Sequence, residues 1–271
     1  MAYTPDRAIE IDKIIAAKAK GKKIPAFLLN LAKKIIHQDY INSFLVQGYD
    51  GVEFCEKCLE YLDVKVEVKG MEKIDPADGK RYTFVSNHPL GGIDGVTMGM
   101  VVGKVFDGKI RYLVNDFLMS LKGLAPLCVP VNKVGGQSRD LARLVDEAFQ
   151  SENQMLMFPA GKCSRLIDGR IQDVAWSKSF VTKSVATGRD IVPVHFIGRN
   201  SRRFYIVARI CKALHIKFNL AMVLLPDEML RNSHGTFRII VGDPIPVETF
   251  DKSRTALEWA QWVRKKVYEL E

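Results

Sequence analysis

Short apolar runs alternating with helical stretches are what most limits the folds open to this chain. Strand patterns fall near residues 64–68, 82–87, 110–114, 127–131, 154–158, 191–197 and 237–241. Helical patterns lie among them, near 52–62, 93–104, 137–151, 174–187 and 253–269. Strands that alternate with helices need crossover connections, so the order predicts an α/β fold, a mixed and largely parallel sheet flanked by helices. A chain of 271 residues, 47% of them hydrophobic, can bury one full core. We read residues 63–271 as that α/β domain and residues 1–62 as an N-terminal helical segment.

In the N-terminal segment, Ile9, Ile11, Ile14 and Ile15 give a rough helical period over 7–20. A second helix follows Pro25, with Phe27, Leu28, Leu31, Ile35 and Ile36 on one side and Lys33 and Lys34 displaced from it. A basic amphipathic pair of this kind lies in a bilayer interface or packs onto its own domain, and the pattern fits both. No window reaches the roughly 18 uncharged apolar residues of a membrane span, so the expectation is a protein that lies on a membrane without crossing it. The net charge of +9 implies an anionic partner: nucleic acid, an anionic bilayer surface or an acidic carrier protein. Zinc-finger, RNA-binding aromatic and basic recognition-helix motifs are missing, which argues against nucleic acid. The five cysteines are odd in number and sit mostly in apolar or helical surroundings, as in a reducing cytoplasm. Cys55 and Cys58 have the spacing of half a zinc site but no second pair nearby, so they are read as part of a helix and no metal is expected.

Acid–base chemistry is concentrated in Ser86-Asn87-His88-Pro89-Leu90-Gly91-Gly92-Ile93-Asp94-Gly95, where an apolar strand meets a glycine-rich turn. The glycines let the backbone fold back far enough for Asp94 to reach the ring of His88. A carboxylate on one imidazole nitrogen fixes the tautomer and leaves the other free to take a proton. Three further segments sit at strand ends. Val129-Pro130-Val131-Asn132-Lys133 ends in a polar and a cationic side chain, and Phe158-Pro159-Ala160-Gly161-Lys162-Cys163-Ser164-Arg165 opens into a turn with two cations and a hydroxyl. The last, Ile191-Val192-Pro193-Val194-His195, is a buried strand whose histidine reads as a hydrogen-bonded core or rim residue. Lys133, Lys162 and Arg165 are thereby placed to converge on a phosphate, a carboxylate or another acidic head group near a general base. The stretch from Arg199 to Lys217 is basic and amphipathic, and the apolar residues 218–225 that follow favour membrane contact over a carrier dock or a solvated helix face.

With these four blocks in this order, and Val241-Gly242-Asp243-Pro244-Ile245 closing them, the chain resembles the glycerolipid acyltransferase family, which includes lysophosphatidate and glycerol-phosphate acyltransferases. The resemblance covers residues 64–250. It implies that His88 is the general base for an acceptor hydroxyl and that Asp94 orients it. The hydroxyl oxygen then attacks an acyl thioester directly, without metal, cofactor or acyl-enzyme. It further implies that Asn132, Lys133, Gly161, Lys162, Ser164 and Arg165 belong to the substrate site. The co-substrate would be an acyl carrier protein thioester or acyl-CoA, and the place of action the cytoplasmic face of the inner membrane, peripherally bound.

Two departures bear on the acceptor. The family has four residues between histidine and aspartate and this chain has five; the family's acidic residue and arginine in the third block are Ala160 and Cys163 here. The pattern is similar to a bacterial, hemolysin-like branch that acylates ornithine and glycine lipids. There the acceptor is a lyso-aminolipid whose hydroxyl sits on a 3-hydroxy fatty acyl chain and whose head carries a carboxylate, for Lys162 and Arg165 to hold. Lysophosphatidate is the alternative acceptor, and a non-catalytic lipid binder on the same scaffold the alternative in kind.

Overall fold

The computed structural model describes residues 4–12, 25–114, 118–131, 139–214 and 223–270. Of the helix expected over 7–20, residues 13–20 lie outside this range, as do Asn132, Lys133, His215 and most of the apolar run 218–225.

Seven strands form one sheet. In chain order they are β1 (Lys65–Lys69), β2 (Tyr82–Ser86), β3 (Ile110–Val114), β4 (Cys128–Pro130), β5 (Gln154–Met157), β8 (Asp190–Ile197) and β9 (Thr236–Val241). Their spatial order is β1-β9-β8-β2-β5-β3-β4, with every neighbouring pair parallel except β8 and β9. This is the mixed, largely parallel sheet that the strand–helix alternation predicts. All five residues of β2 are buried, because helices cover both faces at the centre of the sheet.

On one face, α3 (Gly51–Tyr61) and α4 (Gly92–Val105) bring Phe54, Cys55, Leu59, Ile93 and Met98 onto Phe84, Val192, Phe196 and Ile239. The preceding helices α1 (Ala26–Ile36) and α2 (Gln38–Leu45) run alongside, and α2 adds Phe44 and Leu45 to the same core. On the other face, α5 (Arg139–Gln150), α6 (Ser179–Thr187) and α9 (Ala256–Tyr268) pack Phe149, Phe180, Val263 and Val267 against Val85, Met155 and Ile191. Each such side chain contributes about 1.5–3 kcal/mol by leaving water. The apolar, glycine-containing sequence of α4 suits its position. A Cβ at Gly99 would stand 2.6 Å from both Cys55 Sγ and Tyr112 Oη, so glycine lets α4 lie close to α3 and β3.

Five strands and α-helices of the described residues went unread as regular structure, α2 among them. Strands β6 (Arg165–Ile167) and β7 (Arg170–Gln172) form a hairpin whose turn, Asp168-Gly169, has φ of 49° and 76°, the geometry that an Asp-Gly pair favours. At three residues each, these strands are too short to show a period. Helix α7 (Arg202–Ala213) occupies the basic stretch and α8 (Leu225–Arg231) follows it. The helix expected over 174–187 begins only at Ser179. The residues before it are clamped to α9 instead: Trp176 N donates to Gln261 Oε1 at 3.2 Å, and Trp176 O accepts from Gln261 Nε2 at 2.8 Å.

Arg189, with no exposed surface, ties the two faces together below the sheet. It donates to the carbonyls of Phe149 (2.7 Å), Tyr82 (3.2 Å), Asn153 (2.8 Å) and Ser151 (2.5 Å). Removing it strands several buried carbonyls at once. Arg189→Ala is therefore expected to lower the free energy of unfolding by about 3 kcal/mol, measured by urea denaturation; a loss below about 1 kcal/mol would refute this role.

Candidate active site

The site begins where β2 ends. Asn87 extends the strand by one step through its side chain, Oδ1 accepting from Phe196 N at 2.7 Å and Nδ2 donating to Phe196 O at 2.9 Å. His88 thus emerges just past the C-terminal ends of the parallel strands, where α/β sheets place their ligands. The backbone of His88 is held on both sides: its N–H donates to Asp173 Oδ1 (3.2 Å), and its carbonyl accepts from Ser164 N (2.8 Å). The next carbonyl, of Pro89, accepts from Asn200 Nδ2 at 3.1 Å.

The chain then reverses at Gly91, with φ +83° and ψ −101°, and enters α4. A side chain at Gly91 would be strained by this φ and would also crowd Cys163 Sγ and Leu225, each 3.1 Å from the added carbon. The left-handed step absorbs the fifth residue between His88 and Asp94. Asp94 falls in the first turn of α4, where the helix dipole favours a carboxylate. It is fully buried, and Oδ2 accepts from Leu90 N at 3.1 Å while lying 3.1 Å from His88 Nδ1. In the neutral ring the ionised carboxylate, which only accepts, places the proton on Nδ1 and leaves the lone pair on Nε2. The ring stacks on Phe158, with centroids 4.2 Å apart, and keeps 19% of its side chain exposed. Burial opposes a charged ring here, but Asp94 and the neighbouring Cys163 sulfur more than offset it and hold the His88 pKa well above 6.5.

The sequence pattern of the acyltransferase family matches residues 13–271. The chain belongs to the acyltransferase family. A lyso-glycine lipid O-acyltransferase of Bacteroides thetaiotaomicron is 56% identical over 266 residues, 97% of each chain. One of the same name from Phocaeicola vulgatus is also 56% identical, over 97% of this chain and 95% of its own. The crystal structure of 1-acyl-sn-glycerophosphate (LPA) acyltransferase from Thermotoga maritima overlays with a TM-score of 0.48 at 15% identity, covering 95% of this chain and 87% of that one. That likeness is too loose to carry residue roles.

The third block of this acyltransferase meets the His88 turn, though its side chains divide. Ser164 is buried and donates from Oγ to Asp173 Oδ1 at 2.6 Å. Gly161, with φ +64°, turns the chain after β5, and Lys162 is exposed beside it. Arg165 donates from Nη1 to the carbonyls of Cys163 (2.6 Å) and Ser164 (3.2 Å), with its guanidinium 5.3 Å from the Phe204 ring centre. His195 is a rim residue, bonded through Nδ1 to Leu270 O at 3.0 Å.

Asp173 is the functional neighbour that the sequence did not single out. Besides His88 N and Ser164, it receives Trp176 Nε1 at 2.9 Å, and burial pushes its pKa up. No motif marks it, because it reaches the site only through the β6–β7 hairpin; the Asp168-Gly169 turn was the one available signal.

The acyltransferase's dyad has a titration to test. Folding raises the His88 pKa, so the pair stabilises the fold below the unfolded value of about 6.5 and this contribution fades as pH rises through the folded value. Histidine NMR is expected to show His88 titrating well above 6.5, and Asp94→Asn should shift its titration downward. Identical titrations in the two proteins would sink the assigned contact.

Proposed function

We propose that this acyltransferase moves a fatty acyl group from an acyl thioester to the hydroxyl of a lyso-glycine lipid. The names of its two 56%-identical relatives support the acceptor, and the His88–Asp94 contact of 3.1 Å supports the mechanism. In this reading the acceptor is glycine N-acylated by a 3-hydroxy fatty acid, with a free carboxylate.

His88 Nε2 removes the hydroxyl proton as the oxygen attacks the thioester carbonyl, and Asp94 steadies the imidazolium. Collapse of the tetrahedral adduct breaks the carbon–sulfur bond, and the proton on Nε2 passes to the leaving thiolate. The donor is an acyl carrier protein thioester or acyl-CoA. Lys162 adds positive charge at the rim for the anionic acceptor, and Arg165 orders the turn on which Cys163 and Ser164 stand. No residue other than the acceptor is acylated.

The same reading places the protein peripherally on the cytoplasmic face of an anionic inner membrane. Phe27, Leu28 and Leu31 of α1 and Ile206, Ile210 and Leu214 of and just after α7 are exposed. Asp227 of α8 links these two elements, bonding His37 Nε2 after α1 at 2.8 Å and pairing with Arg203 of α7. Among the described residues no helix is long and apolar enough to cross a membrane. Cosedimentation with anionic vesicles is expected at low salt and should weaken as salt rises; no binding at low salt would overturn this placement.

For the chemistry, purified protein with an acyl thioester should acylate lyso-glycine lipid in preference to lysophosphatidate. His88→Ala should reduce turnover by about 10²–10⁴-fold, and the rate should rise with pH through the His88 pKa, above 6.5, since the neutral ring is the base. Cys163→Ala should retain most turnover with this midpoint moved down; a trapped acyl-Cys163 would refute direct transfer, and acylation of lysophosphatidate alone would refute the acceptor.

A further inference from the structure

A cleft of about 450 Å³ opens between the β6–β7 hairpin and the start of α7. Its polar lining is Arg199, Asn200, Arg202 and Arg209, and its apolar lining includes Leu166, Ile171 and Tyr205. The three arginines are exposed, and among the described residues no carboxylate lies within ion-pair distance of them. Arg203, by contrast, turns away to Asp227. The donors at the start of α7 are already engaged: Glu228 receives Ser201 N and Ser201 Oγ, both at 2.6 Å. Positive charge in the cleft is therefore that of the guanidinium groups.

Asn200 supplies a second, independent feature. It is 4% exposed, its Nδ2 is committed to the Pro89 carbonyl at 3.1 Å, and its Oδ1 has no partner. The Pro89 carbonyl can only accept, which fixes the amide orientation and leaves a buried acceptor in want of a donor. This acceptor stands one hydrogen bond from the residue that follows His88.

An N-acyl glycine offers the complementary groups, a carboxylate one carbon from an amide N–H. We infer that this cleft seats the head of the acceptor, with Arg199, Arg202 and Arg209 around the carboxylate and Asn200 Oδ1 accepting from the amide N–H. The inference rests on the lyso-glycine lipid reading above and extends it from the reacting hydroxyl to the head group. In a 3-hydroxyacyl amide the hydroxyl oxygen lies four bonds from the nitrogen, about 5 Å when extended, and Asn200 is tied to the His88 turn through the Pro89 carbonyl at 3.1 Å. Leu166, Ile171 and Tyr205 border the carbon atoms between charge and chain. A phosphate monoester of acylglycerol also carries negative charge but has no amide N–H for Asn200, so the cleft selects for the amino-acid head.

The test measures acceptor and donor KM separately, in uncharged detergent micelles so that bilayer charge plays no part. Arg202→Gln/Arg209→Gln, changed at exposed positions, is expected to raise the KM for lyso-glycine lipid about tenfold or more, with kcat and donor KM within about threefold of the parent protein. Converting the acceptor carboxylate to its methyl ester should abolish most of the difference between the two proteins. An acceptor with glycolate in place of glycine, which lacks the N–H, should show a KM raised about tenfold in the parent protein. An unchanged acceptor KM in the double variant would overturn the inference while leaving the acyl-transfer reading intact. A rise in donor KM instead would overturn it by assigning the cleft to the phosphate of the thioester carrier. Failure of the parent protein to acylate lyso-glycine lipid at all would overturn the reading and the inference with it.

Discussion

The Asp173 carboxylate is the group on which the site's geometry depends. Buried and 3.2 Å from the backbone N–H of His88, it also binds the Ser164 hydroxyl and the Trp176 indole. The His88 turn and two points of the stretch between β5 and α6 are thus referred to one pair of oxygens. Its own backbone is held in turn by α9, with Tyr268 Oη accepting from Asp173 N (2.8 Å) and Arg264 donating to Asp173 O (2.7 Å). Such a network is expensive to bury and stable only when its members are satisfied, so it holds the backbone of His88 in one place. On the opposite side of the turn, Asn87 fixes the strand end to β8. Among the described residues, the ring of His88 meets Asp94, Phe158 and Cys163.

Charge is distributed with a similar economy. Carboxylates pair off many of the surface cations, as Asp227 does for Arg203, Arg231 and His37, while Arg199, Arg202 and Arg209 are left facing a cleft. An unpaired cluster beside the His88 turn has a different meaning from the same number of cations scattered over the surface, because converging positive charge favours an anion there. Residues that tether the cleft are shared with the turn, since Asn200 reaches Pro89 and Arg165 lies on Phe204 of α7. The cleft and the His88 turn therefore rest on the same packing.

Much of the fold was legible in the pattern of the chain. Strands β2, β5 and β8 show as apolar runs because they are covered on both faces, whereas the mostly exposed β1 shows as an alternation of apolar and charged residues. Segments that hold the site together were not legible. Residues 165–172 make a hairpin of two three-residue strands, and residues 174–178 stay extended because Gln261 clamps them. The hairpin is closed by its own near neighbours over strands too short to show a period, and the second segment is decided by a partner 85 residues away, which local periodicity does not encode. Arg165 is the instructive case: its charge and place in the block point to an anion, yet the guanidinium faces carbonyls of its own turn and an aromatic ring.

The sequence by itself determined the fold class, the family and the meeting of His88 with Asp94, because strand–helix alternation and a glycine-rich turn constrain the backbone over short stretches. Tertiary structure alone decided how a five-residue spacing still closes to 3.1 Å, through the left-handed step at Gly91. It also decided which cations face a ligand and which are consumed by neighbours. The physical reason is that charge pairing and burial depend on distances between remote residues, and those distances exist only once the sheet has brought Asp173, Ser164 and Asn200 to the end of β2.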